Sequence, residues 1–121
     1  FTVDLVEHDC AEQLIIASRA RLFSDDLALS AVLAADDPRE QKHLGRHHKR
    51  LGSQVRHFDH DLWQKDCERI VPRGNIAILS QKDEIRLALG HIDQRRLAEA
   101  CPHDTLWCTG LSAFNLRASF P

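Results

Sequence analysis

Four cysteines in 121 residues are too few for a disulfide scaffold, and no two are spaced as C-x-x-C. Reduced thiols in a cytosol-like compartment are the expectation, and the localisation read from them is cytoplasmic. No stretch approaches the roughly 18 apolar residues that a membrane span needs, because Arg19 and Arg21 break the longest candidate. No membrane partner is therefore expected. An excess of one charge is also missing: 16 Lys and Arg stand against 18 Asp and Glu, a net charge of −2. So small a balance advertises neither nucleic acid nor a lipid surface. There is no internal repeat and no low-complexity segment, which removes solenoids and linker-like chains. What remains is a chain of one-domain size, 43% hydrophobic and 28% charged, long enough for one core without staples. Phe1 to Val6 already reads as strand, so the domain is expected to start upstream of Phe1.

Charge is unevenly spread. Residues 1–38 carry eight acids against two arginines, whereas 39–57 carry six Lys and Arg against Glu40 alone. The basic stretch includes His43, His47, His48 and His57 and is the one place where phosphate would be favoured. It has no apolar period and no interleaved aromatics of the kind that stack on bases, so its simplest reading is a solvated loop.

The pattern of apolar residues predicts a mainly α domain with a few short strands, an α+β class. Phe1-Thr2-Val3-Asp4-Leu5 alternates as a half-buried strand. Asp9 and Glu12 have capping-box spacing ahead of a helix that runs to about Phe23 on Leu14, Ile15, Ala17 and Leu22. A second helix follows from Asp25 or Asp26 to Ala35. Asp37-Pro38 and Gly45 bracket a short third over 38–44. Residues 45–57, with two glycines, read as loop. Asp59 caps a fourth helix to about Ile70, Ser80 a fifth over 81–89, and Asp93 a sixth through Leu97. Leu106-Trp107-Cys108 reads as a short strand or extended loop. Cys101, His103 and Cys108, with His57 and His60 in reserve, are spaced too loosely for a zinc site, and no metal is expected.

Nine short strings in fixed order carry more. They are Phe1-Thr2-Val3-Asp4, Ala11-Glu12-Gln13, Ala20-Arg21-Leu22-Phe23, Leu44-Gly45-Arg46, Phe58-Asp59 with Leu62-Trp63, Gly74-Asn75, Ser80-Gln81, Leu97-Ala98-Glu99-Ala100, and Asp104-Thr105-Leu106-Trp107 before Gly110-Leu111-Ser112. With them the chain resembles the NADAR (NAD and ADP-ribose) family, the YbiA-like N-glycosidases, over nearly its whole length. The resemblance implies one NADAR-like domain over 1–121, lacking the family's amino-terminal segment and its closing segment. It implies hydrolysis of the N-glycosidic bond of a ribose-phosphate or ADP-ribose conjugate, such as ADP-ribosyl-guanine or a riboflavin-pathway intermediate, without a cofactor. The partner would be a small-molecule nucleotide or an ADP-ribosylated nucleic acid base.

The motif residues that map here are Glu12 and Asp104 as catalytic carboxylates, and Gly45, Arg46, Trp63 and Trp107 as substrate-binding residues. Two carboxylates suit this chemistry, one assisting the departing base and one stabilising an oxocarbenium-like sugar or directing water. Trp stacks on a base, and Arg takes a phosphate bidentately. Structural readings stand beside these: Glu12 as the capping-box acid, Asp104 as a turn residue, Trp63 and Trp107 as core anchors, Arg46 as a solvated side chain. Glu12, Arg46, Trp63, Asp104 and Trp107 are expected to share one concave pocket. The chain also departs from the family. Lysines usual in the segments Ala17-Ser18-Arg19-Ala20 and Ala77-Ile78-Leu79-Ser80-Gln81 are absent, Cys108 stands where glycine is usual, and His47 to Ser53 looks inserted. Neither a guanidinium nor Ile78 forms an imine, so the alternative function is a weakened or inactive member that only binds ADP-ribose-like nucleotides.

Overall fold

The computed structural model describes residues 1–45, 55–92, 97–100, 102, 111–112 and 114–115, with backbone alone at 47–48 and 52–53. The chain divides into two compact units, Phe1–Arg86 and Leu87–Pro121. The first opens with an antiparallel hairpin of β1 (Thr2–Val3) and β2 (Val6–Glu7), in which Val3 faces Val6 and Thr2 faces Glu7. The strand expected over Phe1 to Leu5 therefore reverses after Val3. Asp4 and Leu5 both have positive φ, 51° and 66°, the twist that a two-residue hairpin turn requires.

Three helices follow as the pattern predicts: α1 (Ala11–Leu22), α2 (Asp26–Ala34) and α3 (Pro38–Gly45). At the start of α1 the expected Asp9–Glu12 box is displaced by one residue. The Asp9 N–H donates to Gln13 Oε1 at 2.8 Å, so Glu12 is spared that capping role. At the end of α1 the Asp25 N–H donates to the Ala20 carbonyl and the Ser24 N–H to the Arg21 carbonyl, with Ser24 at φ 53°. This is a Schellman closure carrying serine where glycine is usual. Asp25 then caps α2 by accepting the Ala28 N–H at 3.2 Å.

Around α1 the core is built of Ile16, Ala17 and Val32, flanked by Leu29, Leu33 and Leu44. Burying an isoleucine side chain such as that of Ile16, 2% exposed, is worth about 2–3 kcal/mol. Two buried glutamines tie the helices together. Gln13 Nε2 donates to the Val32 carbonyl at 3.1 Å and Gln41 Nε2 to the Ala35 carbonyl at 2.7 Å. These carbonyls belong to the last turn and the C-cap of α2, buried groups that would otherwise lack partners.

Within 45–57, read as loop, β3 (His47–His48) pairs antiparallel with β4 (Gly52–Ser53), His47 facing Ser53 and His48 facing Gly52. Two residues a side leave too little periodicity to detect in sequence. Beyond it, Asp59 caps α4 (His60–Gln81) through the Leu62 N–H at 2.9 Å. This helix runs past the expected stop at Ile70 and through Pro72. Proline removes one hydrogen bond there, but the helix buries Trp63, Cys67 and Gly74, and α4 packs along α1. That packing outweighs the local break. Ser80 is accordingly inside α4, its hydroxyl donating to the Ala77 carbonyl at 3.0 Å, and α5 (Asp83–Gly90) starts two residues later than expected.

In the second unit, the N–H of His91 donates to the carbonyls of Leu87 and Ala88, and that of Asn115 to Ser112. The helix expected from Asp93, the Leu106–Cys108 strand and the Cys101, His103 and Cys108 group involve residues outside those described. No described helix is long and apolar enough to cross a membrane.

Candidate functional site

Glu12, Ile16, Arg19 and Phe23 recur at i, i+4, i+7 and i+11 and so share one face of α1 and its C-cap. Ile16 sits against the end of α3. A Cβ on Gly45 would lie 2.5 Å from Ile16 Cγ1, so glycine leaves the room that the Ile16 side chain fills. This packing brings the Gly45 carbonyl to Arg19, whose Nη1 donates to it at 2.7 Å.

The Arg19 guanidinium is held on two other sides. Its carbon lies 4.5 Å from the Trp63 ring and 5.1 Å from the Phe58 ring. Phe58 in turn meets Phe23 edge to face at 5.2 Å. Each cation–π contact in a partly desolvated setting contributes about 1–2 kcal/mol. Burial pushes the Arg19 guanidinium below its usual pKa, and the negative charge of Glu12 opposes the shift. Arg19 Nε is buried with no partner.

A second charged contact fixes the aromatic wall. Asp25, 2% exposed, accepts the Arg56 backbone N–H at 2.7 Å and its side-chain Nη2 and Nε at 3.1 and 3.3 Å. These bonds, with the Ala28 N–H, hold the Asp25 carboxyl down at about 2. They moor the segment Val55 to Phe58 against the α1–α2 junction, with Val55 itself 1% exposed.

Of the residues expected at a site, the structure brings Glu12, Gly45 and Trp63 around Arg19. Glu12 is half-buried on the Arg19 face and takes no hydrogen bond from the described residues. Trp63 is 8% exposed, with Arg19 over its ring. Arg46, Asp104 and Trp107 lie outside the described residues. Arg19 and Phe58 are the residues that sequence reasoning missed: Arg19 figured only as a replaced lysine, although its i+7 spacing from Glu12 was a signal. On the opposite side of α1 a shallow depression beside Leu14 and Ser18 holds Arg21 and Arg73, the latter already paired with Asp4.

Together these features define a mainly helical domain whose candidate site lies along one face of its central helix, with a clamped guanidinium and an uncommitted carboxylate. The chain belongs to the NADAR domain family, whose model matches residues 1–119. It is 30% identical over 110 residues to an N-glycosidase of Acanthamoeba polyphaga mimivirus, covering 91% of this chain and 61% of that protein. It is 26% identical over 113 residues to Protein irg-1 of Caenorhabditis elegans, covering 93% of this chain and 51% of that protein. The chain thus spans between half and two thirds of the length of these curated relatives. No solved structure matches it significantly.

Proposed function

We propose that this chain is an N-glycosidase domain that hydrolyses the bond between a ribose-phosphate or ADP-ribose moiety and a base, with ADP-ribosyl-guanine and riboflavin-pathway intermediates as the substrates to try first. Membership of the NADAR family beside a relative named N-glycosidase supports the reaction class. The observation that carries the site is Glu12: a half-buried carboxylate released from capping by Gln13 and left next to a fixed cation. In the reaction the C1′–N bond breaks, its electron pair leaves with the base, and water adds to C1′. Glu12 stabilises the oxocarbenium-like sugar or takes the proton of the incoming water. Asp104, a candidate on sequence grounds, delivers a proton to the departing nitrogen. Gly45, Arg46 and Trp107 would bind the substrate, and Trp63 supports it from behind Arg19.

A second reading is favoured by one observation. Arg19 is engaged with two rings and a carbonyl and stays protonated at neutral pH, and Ile78 has no nucleophile, so no imine forms at either position. If the family's chemistry depends on that imine, the domain binds its nucleotide without turning it over. Mass-spectrometric product analysis on the purified chain separates the two. Free base released at roughly one per second or more supports the hydrolase, whereas saturable ADP-ribose binding with no product supports the binding module.

A further inference from the structure

Among the described residues Arg19 is the one arginine withdrawn from solvent, and it is the one whose charge the fold leaves unmatched in that setting. Arg56, Arg69, Arg73 and Arg86, all exposed, each pair with an aspartate. Arg19 makes no ion pair, although Glu12 stands near enough for its charge to be felt. Its plane is set by the two aromatic rings, and its Nη1 is used by the Gly45 carbonyl. The opposite edge of a guanidinium carries the N–H of Nε and one N–H of Nη2 side by side, a fork that matches two oxygens of a phosphate. On Arg19 this edge is unused: Nε is buried with no partner, and Nη2 donates to none of the described residues. A buried donor without an acceptor is costly to the fold, and an oxyanion with two oxygens would remove that cost.

We propose that Arg19 is the oxyanion anchor of this site, receiving phosphate oxygens of the ribose-phosphate ligand on its Nε and Nη2 edge. The identity of the ligand rests on the reading above, while the anchor rests on the geometry of Arg19. A residue read as a lost lysine thereby acquires a role that lysine, a point charge without a planar fork, would fill differently.

The test follows the Arg19 Nε–H signal of the nitrogen-15-labelled chain by NMR, assigned through its contacts with the Trp63 and Phe58 rings and by its loss in Arg19→Lys. Ribose 5-phosphate and inorganic phosphate are expected to move the signal saturably, and ribose to leave it in place. Arg19→Lys is expected to weaken ribose 5-phosphate binding about tenfold, or about 1.4 kcal/mol, without altering the response to ribose. A signal that stays put while ribose 5-phosphate saturates the protein overturns the anchor, and so does the absence of any phosphate binding. Should Arg19→Lys fail to fold, the titration of the unmodified chain decides alone. A moving signal in a chain that releases no base would retire the hydrolase reading and leave the anchor standing.

Discussion

Arg56, two residues before Phe58 in the chain, and Arg19, set against the Phe58 ring, are treated in opposite ways. Arg56 is 59% exposed, yet Asp25, 2% exposed, takes both its backbone N–H and its side chain. The buried charge is fully compensated and moors the segment that ends at Phe58. Arg19 is drawn inward against Phe58 and Trp63 and receives one carbonyl and no carboxylate. An unpaired charge in that setting costs stability unless something arriving later completes it. Matched charge at the α1–α2 junction is architecture, and unmatched charge on the Arg19 face is what the proposed oxyanion anchor rests on.

The sharpest way to break the contrast is at Glu12. Glu12→Gln keeps the shape and removes the charge, and is expected to lower kcat/KM for N-glycoside hydrolysis by roughly a hundredfold or more, with only a small fall in the denaturation midpoint from the lost attraction to Arg19. A hundredfold loss of rate with equal loss of stability would return Glu12 to a structural role. Gly45→Ala should act on the fold itself. Its Cβ has nowhere to go beside Ile16, and an over-packed contact of this kind costs about 1–3 kcal/mol in urea unfolding.

Asp25→Asn tests the matched side. The folded carboxyl sits at about 2 against an ordinary 3.8. A depressed carboxylate contributes stability above its unfolded pKa and loses it as pH falls through the folded one. Discounted for the exposure of Arg56, the contribution at pH 7 is roughly 1–2 kcal/mol. The variant and the parent should therefore diverge above pH 4 and converge near pH 2 in thermal melts.

His8 sharpens the unmatched side from another place. It is 1% exposed with neither ring nitrogen partnered, and burial first, then the charge of Arg21, lowers its pKa, against the pull of Asp9. The unfolded chain then binds a proton that the folded chain refuses. Stability should fall as pH drops below 6.5, by at most about 1.4 kcal/mol per pH unit, and His8→Leu should flatten that limb. The smallest effect is expected at the α1 C-terminus. Ser24→Gly relieves a left-handed serine and should raise stability by about 0.5–1 kcal/mol.

Much of this architecture is written locally. Asp25 and Asp59 cap their helices through an N–H three residues on, and Pro38 and Gly45 bound α3, because caps and stops act over a single turn. The order of nine short motifs points to the NADAR family on residue identity alone, and the family match over 1–119 agrees. Glu12, Gly45 and Trp63 could be named from those motifs. What they do could not. Gln13 displaces Glu12 from the cap because the same glutamine also reaches the Val32 carbonyl on α2. Helix α4 continues through Pro72 because its far half lies along α1, where Gly74 admits Leu14. Arg19 reads in sequence as a substitution, and its surroundings come from Gly45, Phe58 and Trp63, which lie 26, 39 and 44 residues away along the chain. Propensity and capping are properties of neighbours in sequence, so the amino-acid order determined them. The environment of a charge is set by whatever packs around it, and for Arg19 only the assembled helices decided that.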